Sequence, residues 1–259
     1  MRCARKTTGV ANAQLEVEAL HDEWVDQAAE LVRVFELENK PVAITFTNEI
    51  VEVAKPRRTW LCRAIKLAAG GESFVIDKET SACPGGSWHC GLTEPPPGEA
   101  RRALQQFLTR GEKLTGTIVS FQRMQDLGSK PPTGLSDRIV IMPMESAVMR
   151  PDIVLFICNA GQACRLLALD HYWDGIPPRA EVAGSLCHSA IAYPVTTGHT
   201  NVTFGDWTAR RMQKFPADAV FVTVPYERLG NLVAAIPECS AGTAEVDIPE
   251  AMRRTFEEG

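Results

Sequence analysis

The chain has 259 residues, enough for one large domain or two small ones. A hydrophobic fraction of 45% and a charged fraction of 23% are those of an ordinary globular protein. The net charge of −5 argues against a general nucleic-acid binder, and no apolar run is long enough to span a bilayer. The start Met1-Arg2-Cys3-Ala4-Arg5 is basic, but no apolar stretch follows it. No secretory signal is therefore expected, and the default location is cytoplasmic. In a reducing compartment eight cysteines read as buried core, metal ligands or catalytic thiols.

In chain order, the first predicted element is a helix over 14–38. Leu20, Trp24, Ala28, Leu31 and Phe35 form its apolar stripe. Pro41 ends it, and 42–46 reads as a strand. Thr59 is placed to cap a second helix with Leu61, Ile65, Leu67 and Ala68 inward, closed by Gly70-Gly71. A strand over 73–76 and the loop Ser81-Ala82-Cys83-Pro84-Gly85-Gly86 follow. Pro95-Pro96-Pro97-Gly98 breaks the chain before a helix near 99–110. The run Thr117-Ile118-Val119-Ser120-Phe121 predicts a strand, and Lys130-Pro131-Pro132-Thr133-Gly134 a linker. Beyond it, 139–142 and 153–157 are continuous apolar runs suited to strands buried on both faces. A helix near 160–172, a strand over 219–224 and a helix over 226–236 complete the pattern. The alternation predicts an α/β or α+β protein with one or more mixed sheets, read as a single domain over 1–259. Two pseudo-repeated halves, 40–130 and 138–240, are expected around a cysteine site.

That expectation comes from the cysteines. Cys62-Arg63 opens an apolar run and is followed 21 residues on by Cys83. Cys164-Arg165 does the same and is followed 23 residues on by Cys187 in Ala183-Gly184-Ser185-Leu186-Cys187-His188. Thiolates presented in pairs on loops and helix starts suit a soft metal or an iron–sulfur cluster. Cys158 ends an apolar run and reads as core. Cys3 falls in the terminus and Cys239 in a tail loop.

The segments Pro41-Val42-Ala43-Ile44, Cys62-Arg63-Ala64, Ala68 to Gly71, Cys83-Pro84-Gly85-Gly86 and Gly91-Leu92 occur together. Later come Pro151-Asp152-Ile153-Val154-Leu155, Gln162, Arg165, Gly184-Ser185, Cys187 and Val224-Pro225. Over roughly residues 40 to 236 this combination resembles the prokaryotic domain of unknown function 169 family. The resemblance implies recurring cysteines at Cys62, Cys83 and Cys187, suited to an iron–sulfur cluster. Relatives often carry a further cysteine near Phe204-Gly205-Asp206. This chain has none there, and offers Cys164 and Cys90 elsewhere.

The expected site is therefore a [4Fe–4S] cluster on Cys62, Cys83, Cys187 and Cys164, with Cys90 as the alternate fourth ligand. Three thiolates would leave one iron open to act as a Lewis acid. Four would confine the cluster to electron transfer or structure. Gly85 and Gly86 offer backbone N–H groups to tune it, and Arg63 and Arg165 offer positive charge for the cluster or an anionic ligand. Zinc is the rival metal, with His89 or His188 completing a Cys/His set. His171 and His199 read as loop residues. The polar segment 196–206 reads as a substrate-facing loop or a solvated hairpin. The functional expectation is a [4Fe–4S] enzyme of lyase-like or sulfur-transfer chemistry in anaerobic metabolism. The alternative is a non-catalytic electron carrier or a zinc- or ligand-binding protein. Partners are a small-molecule substrate or a redox protein, without nucleic acid or membrane, and self-association as a homo-oligomer stays open. No residue is assigned a catalytic role.

Overall fold

A computed structural model describes residues 23–52, 57–178, 180–181, 184–243, 249–250 and 252. Among them six strands form one open sheet in the order β2-β3-β1-β4-β6-β5. The strands are β1 Val42–Thr47, β2 Phe74–Asp77, β3 Arg138–Pro143, β4 Ile153–Cys158, β5 Asn201–Thr203 and β6 Val220–Pro225. Every neighbouring pair is antiparallel. The fold is α+β, and among the described residues no helix is long and apolar enough to cross a membrane.

Two apolar layers flank the sheet, because successive strand residues point to opposite faces. Val42, Ile44, Ile153 and Leu155 face one layer, and Ala43, Val154 and Phe156 face the other. This is why the apolar runs in β3 and β4 are unbroken. On the first face lie α2 Leu61–Ala68 and α8 Trp207–Gln213, together with a π-helical turn His188–Ala192 that leads into α7 Tyr193–Thr197. On the second lie α1, helical over 23–35, α6 Ala160–Asp170 and α9 Tyr226–Ala234. The stripe Trp24, Ala28, Leu31 and Phe35 is buried as its spacing requires. Trp24 Nε1 also donates to the Tyr226 hydroxyl at 2.7 Å, which fixes α1 against α9. The expected helix residues 14–22, Leu20 included, lie outside the described residues.

Four sequence expectations need correction. The predicted strand over 117–121 is the start of α5, Ile118–Leu127. The Thr117 hydroxyl accepts the Ser120 N–H at 3.0 Å, and Phe121 and Gln125 are buried one turn apart, whereas Val119 is 78% exposed. A cap and a four-residue burial step outweigh the strand preference of Ile and Val. Thr59 does not cap α2. It forms a one-residue parallel bridge to Ser81, and Trp60 takes the cap position. The Cys83 loop is ordered as α3, Pro84–His89, with Cys83 at its N-cap. Finally, the segment 130–134 does not divide the strands into separate sheets. β3, which follows it, lies between β1 and β2, which precede it.

The strand order reads the same from either edge when β1, β2 and β3 are exchanged for β4, β5 and β6. The helices break that symmetry. α2 follows β1 onto one face, and α6 follows β4 onto the other.

Candidate functional site

Cys62 and Cys83 are brought together by the Thr59–Ser81 bridge. Thr59 N–H donates to Thr80 O at 2.9 Å, and Ala82 N–H donates to Thr59 O at 2.8 Å. Cys62 follows that bridge by three residues and Cys83 by two, so both thiols leave it in one direction. Cys187 arrives from the other half of the chain. Asp206, at the N-cap of α8, takes the Leu186 N–H on Oδ2 at 2.8 Å and the Ala209 N–H on Oδ1 at 2.6 Å. This carboxylate fastens the Cys187 turn to α8.

All three thiols line one cavity of about 530 Å³. Gly86 lies between two of them. A Cβ added there would meet Cys187 Sγ at 3.4 Å, Cys83 Cβ at 3.6 Å and Leu61 Cδ1 at 2.9 Å. The Gly86 N–H donates to Cys83 Sγ at 3.3 Å. The same wall thus supplies N–H groups aimed at sulfur, as Gly85-Gly86 suggested.

Burial pushes the Cys62 thiol up to about 12, and the neighbouring Cys83 and Asp206 add to the effect. Burial raises Cys83 as well. Cys187 is raised well above the ordinary thiol value by burial and by Cys90, Cys62, Cys83 and Asp206 around it. In the metal-free chain these are neutral, free thiols. A bound cation would remove that obstacle, since the ligating form is the thiolate and metal uptake releases its protons.

The other predicted residues fall elsewhere. Cys164 is exposed on α6, on the far face of the sheet from Cys62. The Asn159–Gln162 capping box starts α6 directly after β4 and turns Ala163, Leu166 and Leu169 inward, which leaves Cys164 toward solvent. Arg165 bonds the Cys239 and Ala241 carbonyls at 3.0 and 2.6 Å and anchors the tail. Arg63 lines a separate hollow beside Trp60. The two Cys-Arg pairs therefore do not share a cleft. Cys90 is nearer: it is fully enclosed, and its Sγ lies 3.8 Å from the Cys187 carbonyl. It does not itself line the cavity. Cys158 is buried core, as its apolar run implies, and Cys239 is buried as well.

His89 lines the cavity, with Nδ1 2.9 Å from Ser185 Oγ and Nε2 2.9 Å from Gln125 Oε1. Gln125 Oε1 only accepts, so Nε2 carries the proton and Ser185 donates its hydroxyl to Nδ1. His188 stacks on His89 with ring centroids 5.0 Å apart, and its Nε2 lies 2.9 Å from Ser129 O. Burial lowers His89 to about 3 and His188 to about 4, with a like-charge penalty on His89 from His188 and on His188 from Lys130. Both are neutral at pH 7. With both its ring nitrogens engaged, His89 has no lone pair free for zinc. Among the described residues no three His, Cys, Asp or Glu side chains are gathered as a single metal ion would need.

The rest of the wall was not legible in the sequence as a site. α4, Gly98–Gln106, and the π-helical turn Phe107–Gly111 contribute Leu104, Phe107 and Leu108. None of their residues is fully buried, so this apolar face covers the cavity and not the core. Asp206 was legible only as the end of the polar segment 196–206.

A family model described as uncharacterised ArCR, domain of unknown function 169, matches residues 30–235. The chain belongs to the domain of unknown function 169 family. That match contains every residue lining the cavity, so the site belongs to the family's own domain and not to an appended segment. No curated protein matches the chain. No solved structure matches it.

Proposed function

We propose that Cys62, Cys83 and Cys187 hold an iron–sulfur cluster of the [4Fe–4S] type, and that the cavity beside it takes a small molecule. The observation that carries this reading is the gathering of three free thiols, from distant stretches of the chain, on one wall of a largely apolar cavity. Their side chains suit a soft metal, and the glycine N–H groups beside them suit inorganic sulfide. A cavity of about 530 Å³ falls within the size range of small-molecule sites. An iron left without a protein thiolate would supply Lewis-acid chemistry at such a wall. The protein's role is to hold the ligand against it, to exclude water with the α4 face, and to keep the Ser185 hydroxyl donating to the bare Nδ1 of His89. Lyase-like or sulfur-transfer chemistry fits an open iron. Ligation by Cys90, whose Sγ lies beside the Cys187 carbonyl, would close the set and favour the electron-carrier alternative.

The test is anaerobic purification with iron, sulfide and zinc analysis and an absorption spectrum. A brown protein with about four irons and matching sulfide per chain is expected. A colourless protein that takes up no iron and sulfide on reconstitution, with its thiols intact, contradicts the proposal.

A further inference from the structure

A second hollow adjoins the cavity. Trp60 and Met212 line both, so the two spaces meet across these side chains. The second hollow, of about 420 Å³, is lined by Arg57, Arg58 and Arg63. Arg57 is committed: it pairs with Glu72 at 2.9 Å and lies 4.7 Å over the Phe74 ring. Among the described residues the Arg58 and Arg63 side chains have no hydrogen bond or ion pair. Thr59, also in this wall, is only 4% exposed, and its hydroxyl has no partner among the described residues.

The two hollows are opposite in character. Among the described residues no lysine or arginine lines the thiol cavity, while Asp206 and Glu112 do. Both carboxylates are held in place, Asp206 by the Leu186 and Ala209 N–H groups and Glu112 by the Thr208 N–H at 2.9 Å. An anionic group is repelled from the cavity and attracted to the arginines. An apolar body has the reverse preference. We infer that the two hollows are one binding site for a small apolar carboxylic acid, its carboxylate at Arg58 and Arg63 and its body past Trp60 among Leu104, Phe107 and Met212. Guanidinium groups match a carboxylate with paired N–H donors. The inference rests on the cavity being a ligand site and is independent of the cluster.

Titration calorimetry on the full chain tests it with octanoate, 1-octanol and acetate. Octanoate should bind on the order of tenfold more tightly than 1-octanol, as a hydrogen-bonded charge pair gives, and acetate more weakly than octanoate. Arg58→Gln and Arg63→Gln should each bring octanoate down toward 1-octanol and leave 1-octanol binding unaltered. Arg63→Lys, which keeps the charge without the fork, should fall between. Equal affinity for octanoate and 1-octanol in the natural chain, or unaltered octanoate binding in both Gln variants, overturns the inference. Iron is assayed on the same samples. Missing iron with the octanoate preference intact counts against the cluster alone, and full iron with no preference counts against the acid site alone.

Discussion

At the scale of single residues, Gly86 shows how tightly the site is built. Gly86→Ala places a methyl 2.9 Å from Leu61 Cδ1 and 3.4 Å from Cys187 Sγ. Overpacking of this kind costs about 1–3 kcal/mol, so chemical denaturation should show a loss of that size together with weaker iron loading. Unaltered stability and loading would mean that the wall yields. The histidine pair has its own signature. In the folded, metal-free chain His89 and His188 titrate near 3 and 4, below their unfolded value of about 6.5. The unfolded state therefore takes up protons first as pH falls, and stability drops from about pH 6.5 toward the folded values. The slope is at most about 1.4 kcal/mol per pH unit for each histidine. Denaturation midpoints between pH 7 and 5 check this, and His89→Gln should remove about half of the slope. A flat profile over that range contradicts the neutral buried pair. Cys62, Cys83 and Cys187 were legible in the sequence because glycines and helix starts surround them. Cys164 had equal local credentials. What separates it is the face of the sheet, which no local pattern records.

At the scale of elements, burial periodicity was legible where a helix or strand packs on the sheet. It failed at α5, where Ile118 and Val119 imitate a strand although both face solvent. There the cap decides. Thr117→Ala should cost about 1 kcal/mol by removing the acceptor of the Ser120 N–H, while Val119→Ala should be neutral or slightly stabilising. Denaturation of both variants checks the pair, and the reverse order would restore the strand reading. The α4 segment failed differently. The helix was legible, but an apolar stripe that faces a cavity has the same spacing as one that faces a core. The Thr59–Ser81 bridge left no sequence signal, since one pair of backbone hydrogen bonds requires no particular side chains.

At the scale of the whole molecule, the alternation of strands and helices made a mixed fold legible, but not the position of β3. A strand from beyond the proline linker fills the gap between β1 and β2, so the segments 40–130 and 138–240 cannot each build a complete sheet. Expressed separately, neither should show a cooperative thermal transition by circular dichroism. A transition in 40–130 would show that β1 and β2 do without β3, and one in 138–240 that β3 and β4 do without β1. The same interleaving makes the site. Cys62 and Cys83 come from before the linker and Cys187 from after it, and only the assembled sheet brings them to one cavity. The proposed cluster depends on all three thiols together. Its most direct test is iron and sulfide per chain after anaerobic reconstitution of Cys62→Ser, Cys83→Ser, Cys187→Ser and Cys164→Ser, each confirmed folded by circular dichroism. The first three should lose most of the iron and Cys164→Ser should keep the level of the natural chain. Full loading in all of the first three, or loss confined to Cys164→Ser, would contradict the account.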